Sequence, residues 1–261
     1  MYGAIIGDLT GSIYEYEQTK KIEKVEWEES IKPSSFYSDD TIMTIAILDA
    51  ILSNESYEEK LREYGKRFED YHPPITPYFK TPFSPNYMKW LNGKGEGNSR
   101  GNGAMMRISP IGYLFDSERK IIEEAKKATT PSHNSWEAVD AATIIAILIF
   151  FGRKGYTKEE MIRNLNIKLR QKPFEKFNTT CKETLDNCLC AFFFSTSFED
   201  AMKKTLLYGG DTDTNCAIVG SIAEAFYGID EALVEKAKKK IPKEFQETLE
   251  KGYAKIKKIK E

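Results

Sequence analysis

Gly209-Gly210-Asp211-Thr212-Asp213-Thr214-Asn215-Cys216-Ala217-Ile218-Val219-Gly220-Ser221-Ile222-Ala223 reads as a helix start followed by a buried helix. The glycine pair breaks what precedes it, and Asp and Thr are the residue types that satisfy free N–H groups in a first helical turn. The run that follows is small and apolar, with no polar face to offer solvent. One cap residue suffices for a helix start, so the second carboxylate needs another reason. Two like charges so close repel, and a divalent cation would remove the repulsion. The composition recurs as Ser38-Asp39-Asp40-Thr41, which opens Ile42-Met43-Thr44-Ile45-Ala46-Ile47-Leu48. Two acidic helix starts point to one shared site, with ordinary capping as the competing explanation.

Outward from these two stretches, helical periodicity dominates. Apolar residues at i, i+3 and i+4 predict helices near 3–17, 41–53, 56–70, 104–115, 118–128, 134–151, 158–168, 179–194, 198–207, 214–227, 231–239 and 243–259. In the first of these, Gly3, Gly7 and Gly11 repeat on one face, and only close packing against a neighbour offsets their poor helix propensity. Lys20 to Trp27 alternate in polarity and could make only a short ribbon. Between Tyr71 and Gly103, glycines and prolines cluster around Tyr78, Phe79, Phe83, Tyr87 and Trp90, which predicts a long loop with a functional or mobile role. No solenoid-length repeat or linker divides the chain. Residues 1–261 are expected to form a single all-α domain, a bundle of many helices.

Composition excludes several classes. With 38 basic and 40 acidic residues the formal charge is −2, so no global basic field calls for nucleic acid as a partner. Lysines from Lys236 to Lys260 alternate with apolar residues at helical spacing, as on the solvated face of a terminal helix. Cys181, Cys188, Cys190 and Cys216 lack C-x-x-C spacing and are expected to be buried thiols. The start lacks a basic n-region, and the longest apolar run, Ala141–Phe151, is about half a membrane span. No membrane partner is expected, and the compartment expected is the cytoplasm.

Asp39, Asp40, Asp211 and Asp213 with the hydroxyls of Ser38, Thr41, Thr212 and Thr214 make an all-oxygen set, which selects Mg²⁺, Mn²⁺ or Ca²⁺ over zinc. Four carboxylates balance two divalent ions, and paired ions can activate a water. The positive ends of the helix dipoles oppose this, but amount to about half a charge each. Gly101-Asn102-Gly103 precedes a predicted helix start, which reads either as a phosphate-binding loop or as an ordinary turn. Arg107 could assist with charge or cap a neighbour. His133 could contact a ligand or cap its own helix, and Glu15 alone reads as a solvated helix end. With only two histidines, His72 and His133, and no G-x-S-x-G elbow, a serine triad has no support.

Gly3-Ala4-Ile5-Ile6-Gly7-Asp8 with Glu15, Ser38-Asp39-Asp40-Thr41, Gly101-Asn102-Gly103-Ala104-Met105-Met106-Arg107, His133-Asn134 and Gly209-Gly210-Asp211-Thr212-Asp213-Thr214 together resemble the ADP-ribosylglycohydrolase family. The resemblance implies an all-α fold with two Mg²⁺ or Mn²⁺ ions in a central cleft. By it, Ser38, Asp39, Asp40, Asp211, Asp213 and Thr214 look like metal ligands, and Glu15, Asp40 and Asp211 like catalytic groups. Gly101, Asn102, Gly103 and Ala104 look like the diphosphate contact, and His133 is similar to a residue near ADP-ribose. The implied reaction is hydrolysis of the C1″ bond between ADP-ribose and an acceptor, arginine N-linked first and serine O-linked second. The implied partner is an ADP-ribosylated protein or an ADP-ribosyl small molecule. A non-catalytic ADP-ribose reader and a hydrolase of a metabolite such as O-acetyl-ADP-ribose are the alternatives. Ser38 stands where the family commonly has Thr, with the same hydroxyl chemistry. The segment from Tyr71 to Trp90 has no clear counterpart, which leaves the acceptor open.

Overall fold

A computed structural model describes residues 1–15, 25–27, 30–72, 81–173 and 177–260, without the side chains of Glu15, Ile259 and Lys260. The helices are α1 (Tyr2–Glu15), α2 (Asp39–Ser53), α3 (Tyr57–Arg67), α4 (Pro85–Leu91), α5 (Gly103–Met106), α6 (Ser109–Leu114) and α7 (Glu118–Thr129). They continue with α8 (Trp136–Arg153), α9 (Lys158–Leu165), α10 (Cys181–Phe193), α11 (Phe198–Tyr208), α12 (Thr212–Tyr227), α13 (Glu231–Lys238) and α14 (Lys243–Lys260). No strand forms among the described residues, only two isolated bridges, Asn98 with His133 and Gly101 with Thr180. The all-α expectation holds.

α12 is the central element. Every residue from Thr212 to Ala223 is buried, as its lack of a polar face requires. α1 lies antiparallel along it, with α8, α10 and α11 on its other sides. The glycine spacing explains this pairing. A β-carbon on Gly3, Gly7 or Gly11 would stand 2.1, 2.1 or 2.2 Å from the carbonyl oxygens of Gly220, Cys216 and Thr212. Without β-carbons the two backbones touch, and the Thr212 hydroxyl donates to the Gly11 carbonyl at 2.9 Å. The same register brings the C-terminal end of α1 to the N-terminal end of α12.

α2 packs against α1, α3, α6 and α14, so its buried face also points inward. It begins at Asp39, two residues before the expected start, with Ser38 as N-cap. The acidic pair is therefore part of the first turn. The predicted helix 104–115 is two helices, α5 and α6, parted at Arg107 and Ile108; Pro110, which has no N–H to donate, stands in the first turn of α6.

The long-loop expectation for 71–103 needs correction. Ser84 caps α4 by accepting from the Tyr87 N–H at 3.2 Å, and Pro85 occupies its first turn. Phe83, Tyr87 and Trp90 are buried in the core, and Phe83 and Tyr87 also line the cleft described below. Arg62 stacks on Trp90, 4.0 Å from the ring centroid, and donates to the Trp90 carbonyl at 3.0 Å. Tyr78 and Phe79 lie outside the described residues, as do Lys20 to Lys24 of the expected ribbon.

All four cysteines are buried thiols, as expected. Lys251, Lys255, Lys257 and Lys258 are exposed on α14, whose Phe245, Leu249 and Ile256 are buried. No helix among the described residues is long and apolar enough to cross a membrane.

Candidate metal centre and adjoining cleft

The N-terminal turns of α2 and α12 meet against the middle of α1. Carboxylate oxygens of Asp8, Asp40 and Asp213 lie within 4.8 Å of one another, and all three residues are buried. Asp8 comes from α1, seated by the glycines on either side of it. It belongs to the residues that carry the family resemblance but is absent from the ligand set expected from sequence. A buried acid inside a small-residue helix face was the available signal.

Capping and cation binding can now be separated. At α2 the cap explanation is satisfied twice over. Ser38 Oγ accepts from the Asp40 N–H at 3.2 Å. Asp8 Oδ2 accepts from the N–H groups of Ser38 and Thr41 at 2.9 and 3.1 Å and from the Thr41 hydroxyl at 2.5 Å. Asp40 is left over. Its Oδ1 is buried with no hydrogen-bond partner. At α12, Asp211 occupies the N-cap position but its side chain caps nothing; it accepts instead from Asn102 Nδ2 at 2.6 Å. Capping does not account for these two carboxylates.

Proton counting makes the same point. Ser38 Oγ lies 2.9 Å from Asp8 Oδ1 and 2.9 Å from Asp40 Oδ2, yet a hydroxyl carries one proton. The site holds more lone pairs than donors. Among the described residues no lysine, arginine or histidine forms an ion pair with Asp8, Asp40 or Asp211. Burial pushes the Asp8 carboxyl up to about 6. Burial, then the charges of Asp8, Asp39 and Asp211, holds Asp40 well above the usual carboxylate range, and burial raises Asp211 as well. Two ionised carboxylates in this setting repel by about 3–4 kcal/mol at an effective dielectric of about 20. The donor set is all oxygen and acidic, and it suits a hard divalent cation.

A cleft of about 650 Å³ opens over this cluster. Ser38, Asp39, Asp211, Asp213 and Thr214 line one wall, and Gly101, Asn102, Gly103 and His133 line another. The loop that carries the second wall is held from both sides. The Asn102 N–H donates to the Thr179 carbonyl at 2.9 Å, and the Cys181 N–H donates to the Arg100 carbonyl at 3.0 Å. On the other flank, the Asn134 N–H donates to the Gly97 carbonyl at 2.7 Å. Asn102 thus links the two walls through Asp211.

Against this architecture, a sequence profile of the ADP-ribosylglycohydrolase family matches residues 1–260. The chain belongs to the ADP-ribosylglycohydrolase family. It is similar to ADP-ribosylhydrolase ARH3 of Homo sapiens, 24% identical over 331 aligned residues that cover 96% of this chain and 88% of that protein. It is also similar to ADP-ribosylarginine hydrolase Tri1 of Pseudomonas putida strain GB-1, 25% identical over 152 residues, 52% of this chain and 41% of that one. A solved structure of an ADP-ribosylglycohydrolase-related protein complex superposes with a TM-score of 0.72 at 20% identity, covering 98% of this chain and 93% of its own. That likeness speaks to the fold. Membership of this glycohydrolase family makes the chain a hydrolase.

Among the expected site residues, Ser38, Asp39, Gly101, Asn102, Gly103, His133, Asp211, Asp213 and Thr214 reach the cleft. Asp40 lies just behind its surface, 2% exposed, with the Thr214 hydroxyl 3.4 Å from its Oδ2. Ala104 does not line the cleft: its methyl is fully buried, because α5 turns that face toward the core. Glu15 ends α1, near the start of α12, and its side chain lies outside the described residues. Arg107, left between two readings, is fully buried and donates to the Ala128 carbonyl at 3.4 Å and to Ser132 Oγ at 2.7 Å.

Proposed function

We propose that this protein is a Mg²⁺- or Mn²⁺-dependent ADP-ribosyl hydrolase that cleaves the C1″ bond between ADP-ribose and an acceptor, with residues 1–261 acting as one unit. The observation that carries the reading is the partnerless Asp40 Oδ1 inside a buried acidic cluster on the floor of a cleft. Ser38, Asp39, Asp40, Asp211, Asp213 and Thr214 would hold two ions, with Asp8 behind them. Asp8 Oδ2 is already saturated by three donors, so Asp8 mainly fixes Ser38 and Thr41. Bound ions supply Lewis acidity toward substrate oxygens and orient a water.

The residues of the chain supply the rest. The Gly101–Gly103 loop would lie along a diphosphate with His133 beside it. The Gly101 and Asn102 N–H groups are held by Ser99 Oγ and the Thr179 carbonyl, so the backbone donor would be the Gly103 N–H at the start of α5. Asn102 holds one oxygen of Asp211, which lines the cleft. In hydrolysis, the water oxygen bonds to C1″ as the C1″–acceptor bond breaks. One water proton would pass to Asp211 or Glu15 and be handed on to the departing acceptor, so that ADP-ribose keeps the hydroxyl and the acceptor leaves protonated.

The substrate would be an ADP-ribosylated protein or an ADP-ribosyl small molecule. Arginine N-linkage comes first, in line with the named activity of the Pseudomonas putida relative. The deciding experiment is ADP-ribose release from ADP-ribosyl-arginine, ADP-ribosyl-serine and O-acetyl-ADP-ribose, with Mg²⁺ or Mn²⁺ and with EDTA. Metal-dependent release from one of them supports the reading and names the acceptor. The Asp211→Asn/Asp213→Asn double variant should lose turnover by at least about a thousandfold while its circular dichroism is unchanged. Full activity in that variant, or release unaffected by EDTA, sinks the proposal. A protein that binds ADP-ribose with metal yet releases none from the whole panel would be a reader instead.

A further inference from the structure

His133 is 6% exposed, its ring lies against the Gly101–Gly103 loop, and it lines the cleft. A β-carbon on Gly103 would stand 3.2 Å from its Nε2, and one on Gly101 would stand 3.9 Å away. Its backbone is pinned, with its N–H donating to the Thr129 carbonyl at 3.0 Å. Nε2 has no hydrogen-bond partner among the described residues. Nδ1 does, with Ser132 Oγ at 2.8 Å.

The chain of contacts behind the ring has only one consistent direction. A guanidinium can only donate, so Arg107 Nη2, 2.7 Å from Ser132 Oγ, makes that hydroxyl an acceptor. Arg107 stays charged at neutral pH, since burial lowers it only to about 10. The one proton of the Ser132 hydroxyl is then directed at His133 Nδ1. The opposite tautomer, with the proton on Nδ1, would leave the Ser132 proton without an acceptor among the described residues. Burial, then the charge of Arg107, keeps the imidazole well below its ordinary 6.5 and hence neutral. A fully buried guanidinium with no carboxylate ion pair among the described residues is costly, and this contact gives it a use.

We propose that Arg107 and Ser132 are positioning residues that lock His133 as the neutral Nε2–H tautomer, a fixed hydrogen-bond donor aimed at an oxygen of the bound ligand beside the glycine loop. The lock itself is independent of the reaction; that the acceptor is a phosphate or ribose oxygen of an ADP-ribosyl group rests on the functional reading above.

Only two histidines, His72 and His133, are present, so ¹⁵N-histidine labelling gives a readable spectrum, and His72→Gln assigns it. Long-range ¹H–¹⁵N correlation of the metal-free protein should show His133 neutral with its proton on Nε2. Ser132→Ala should lose that single tautomer. It should also raise KM for the ADP-ribosyl substrate about tenfold, roughly one hydrogen bond, with kcat and Mn²⁺ affinity within about twofold. Ser132→Thr keeps the hydroxyl and should restore both readouts. A proton on Nδ1 in the wild type, or an unchanged tautomer in Ser132→Ala, overturns the lock whether or not ADP-ribose is released. A changed tautomer with KM unmoved overturns the donor role. The expected spectra in a protein that cleaves nothing support the lock and count only against the functional reading.

Discussion

Asp40 carries two opposite burdens: in the proposed function it would hold a cation, and without one its charge harms the chain. Its Oδ1 has no partner and its neighbours are acidic, so ionisation is opposed in the metal-free protein. The sign follows from linkage. Asp40 and Asp8 have folded pKa values above their ordinary 3.8, so the folded state holds protons more tightly than the unfolded chain. Their contribution to stability is present at low pH and is lost as pH rises from about 4, with Asp8 crossing at about 6. For Asp8 this amounts to about 3 kcal/mol. Asp40→Asn should therefore raise the melting temperature of the EDTA-treated protein by about 3 °C or more at pH 7.5, with a smaller gain at pH 5. The same variant should show no further rise with Mn²⁺, whereas the wild type should gain several degrees. Differential scanning fluorimetry of both proteins at both pH values checks the sign. The Ser38 hydroxyl touches both Asp8 and Asp40. The acidic pairs were legible because each holds one carboxylate more than a helix cap needs. Asp8 was harder to see, since nothing in its local sequence says that its partners come from α2.

Between elements, the contact of α1 with α12 decides whether the site exists. Gly7→Ala would put a methyl 2.1 Å from the Cys216 carbonyl oxygen, which is backbone and cannot step aside. Separating the two helices should cost about 3 kcal/mol or more, and it would withdraw Asp8 from Ser38 and Thr41. Urea unfolding should show the loss, and Mn²⁺ titration should show affinity falling at least tenfold. A stable Gly7→Ala protein with native metal affinity would refute the close-packing argument. The glycine spacing and the helices themselves were readable from periodicity, because each is a local property of one segment. Helix ends were read less well. α4 escapes the periodicity because it is only seven residues long and is surrounded by loop-like composition, although Ser84 and Pro85 are a cap signal in plain view. The single helix expected at 104–115 hid a break, because Met105, Met106, Ile108 and Ile111 continue the apolar pattern through it.

Over the whole molecule, the candidate metal site gathers parts far apart in sequence: α1, α2, the Gly101–Gly103 loop and α12. Metal should therefore protect these segments together. Hydrogen exchange with and without Mn²⁺ should slow at α1 and at the first turns of α2 and α12, with α13 and the exposed face of α14 unchanged. Protection confined to one of the acidic turns would contradict a shared site. The far end of the α1–α12 pair is tied to the C-terminal helix, since Glu224 accepts from the Gly3 N–H at 2.8 Å and from the Tyr253 hydroxyl. Glu224→Ala should destabilise the fold by about 2–3 kcal/mol in urea unfolding without changing Mn²⁺ affinity. The sequence by itself determined the helical class, the two acidic helix starts, the glycine loop and the family, because each is written in local residue types and their spacing. Only the tertiary structure decided that Asp8 joins the cluster, that Asp211 faces Asn102 instead of capping its helix, and that Arg107 is spent on Ser132 behind His133. Those depend on which side chains meet across helices, and no single segment encodes the direction from which its partner will come.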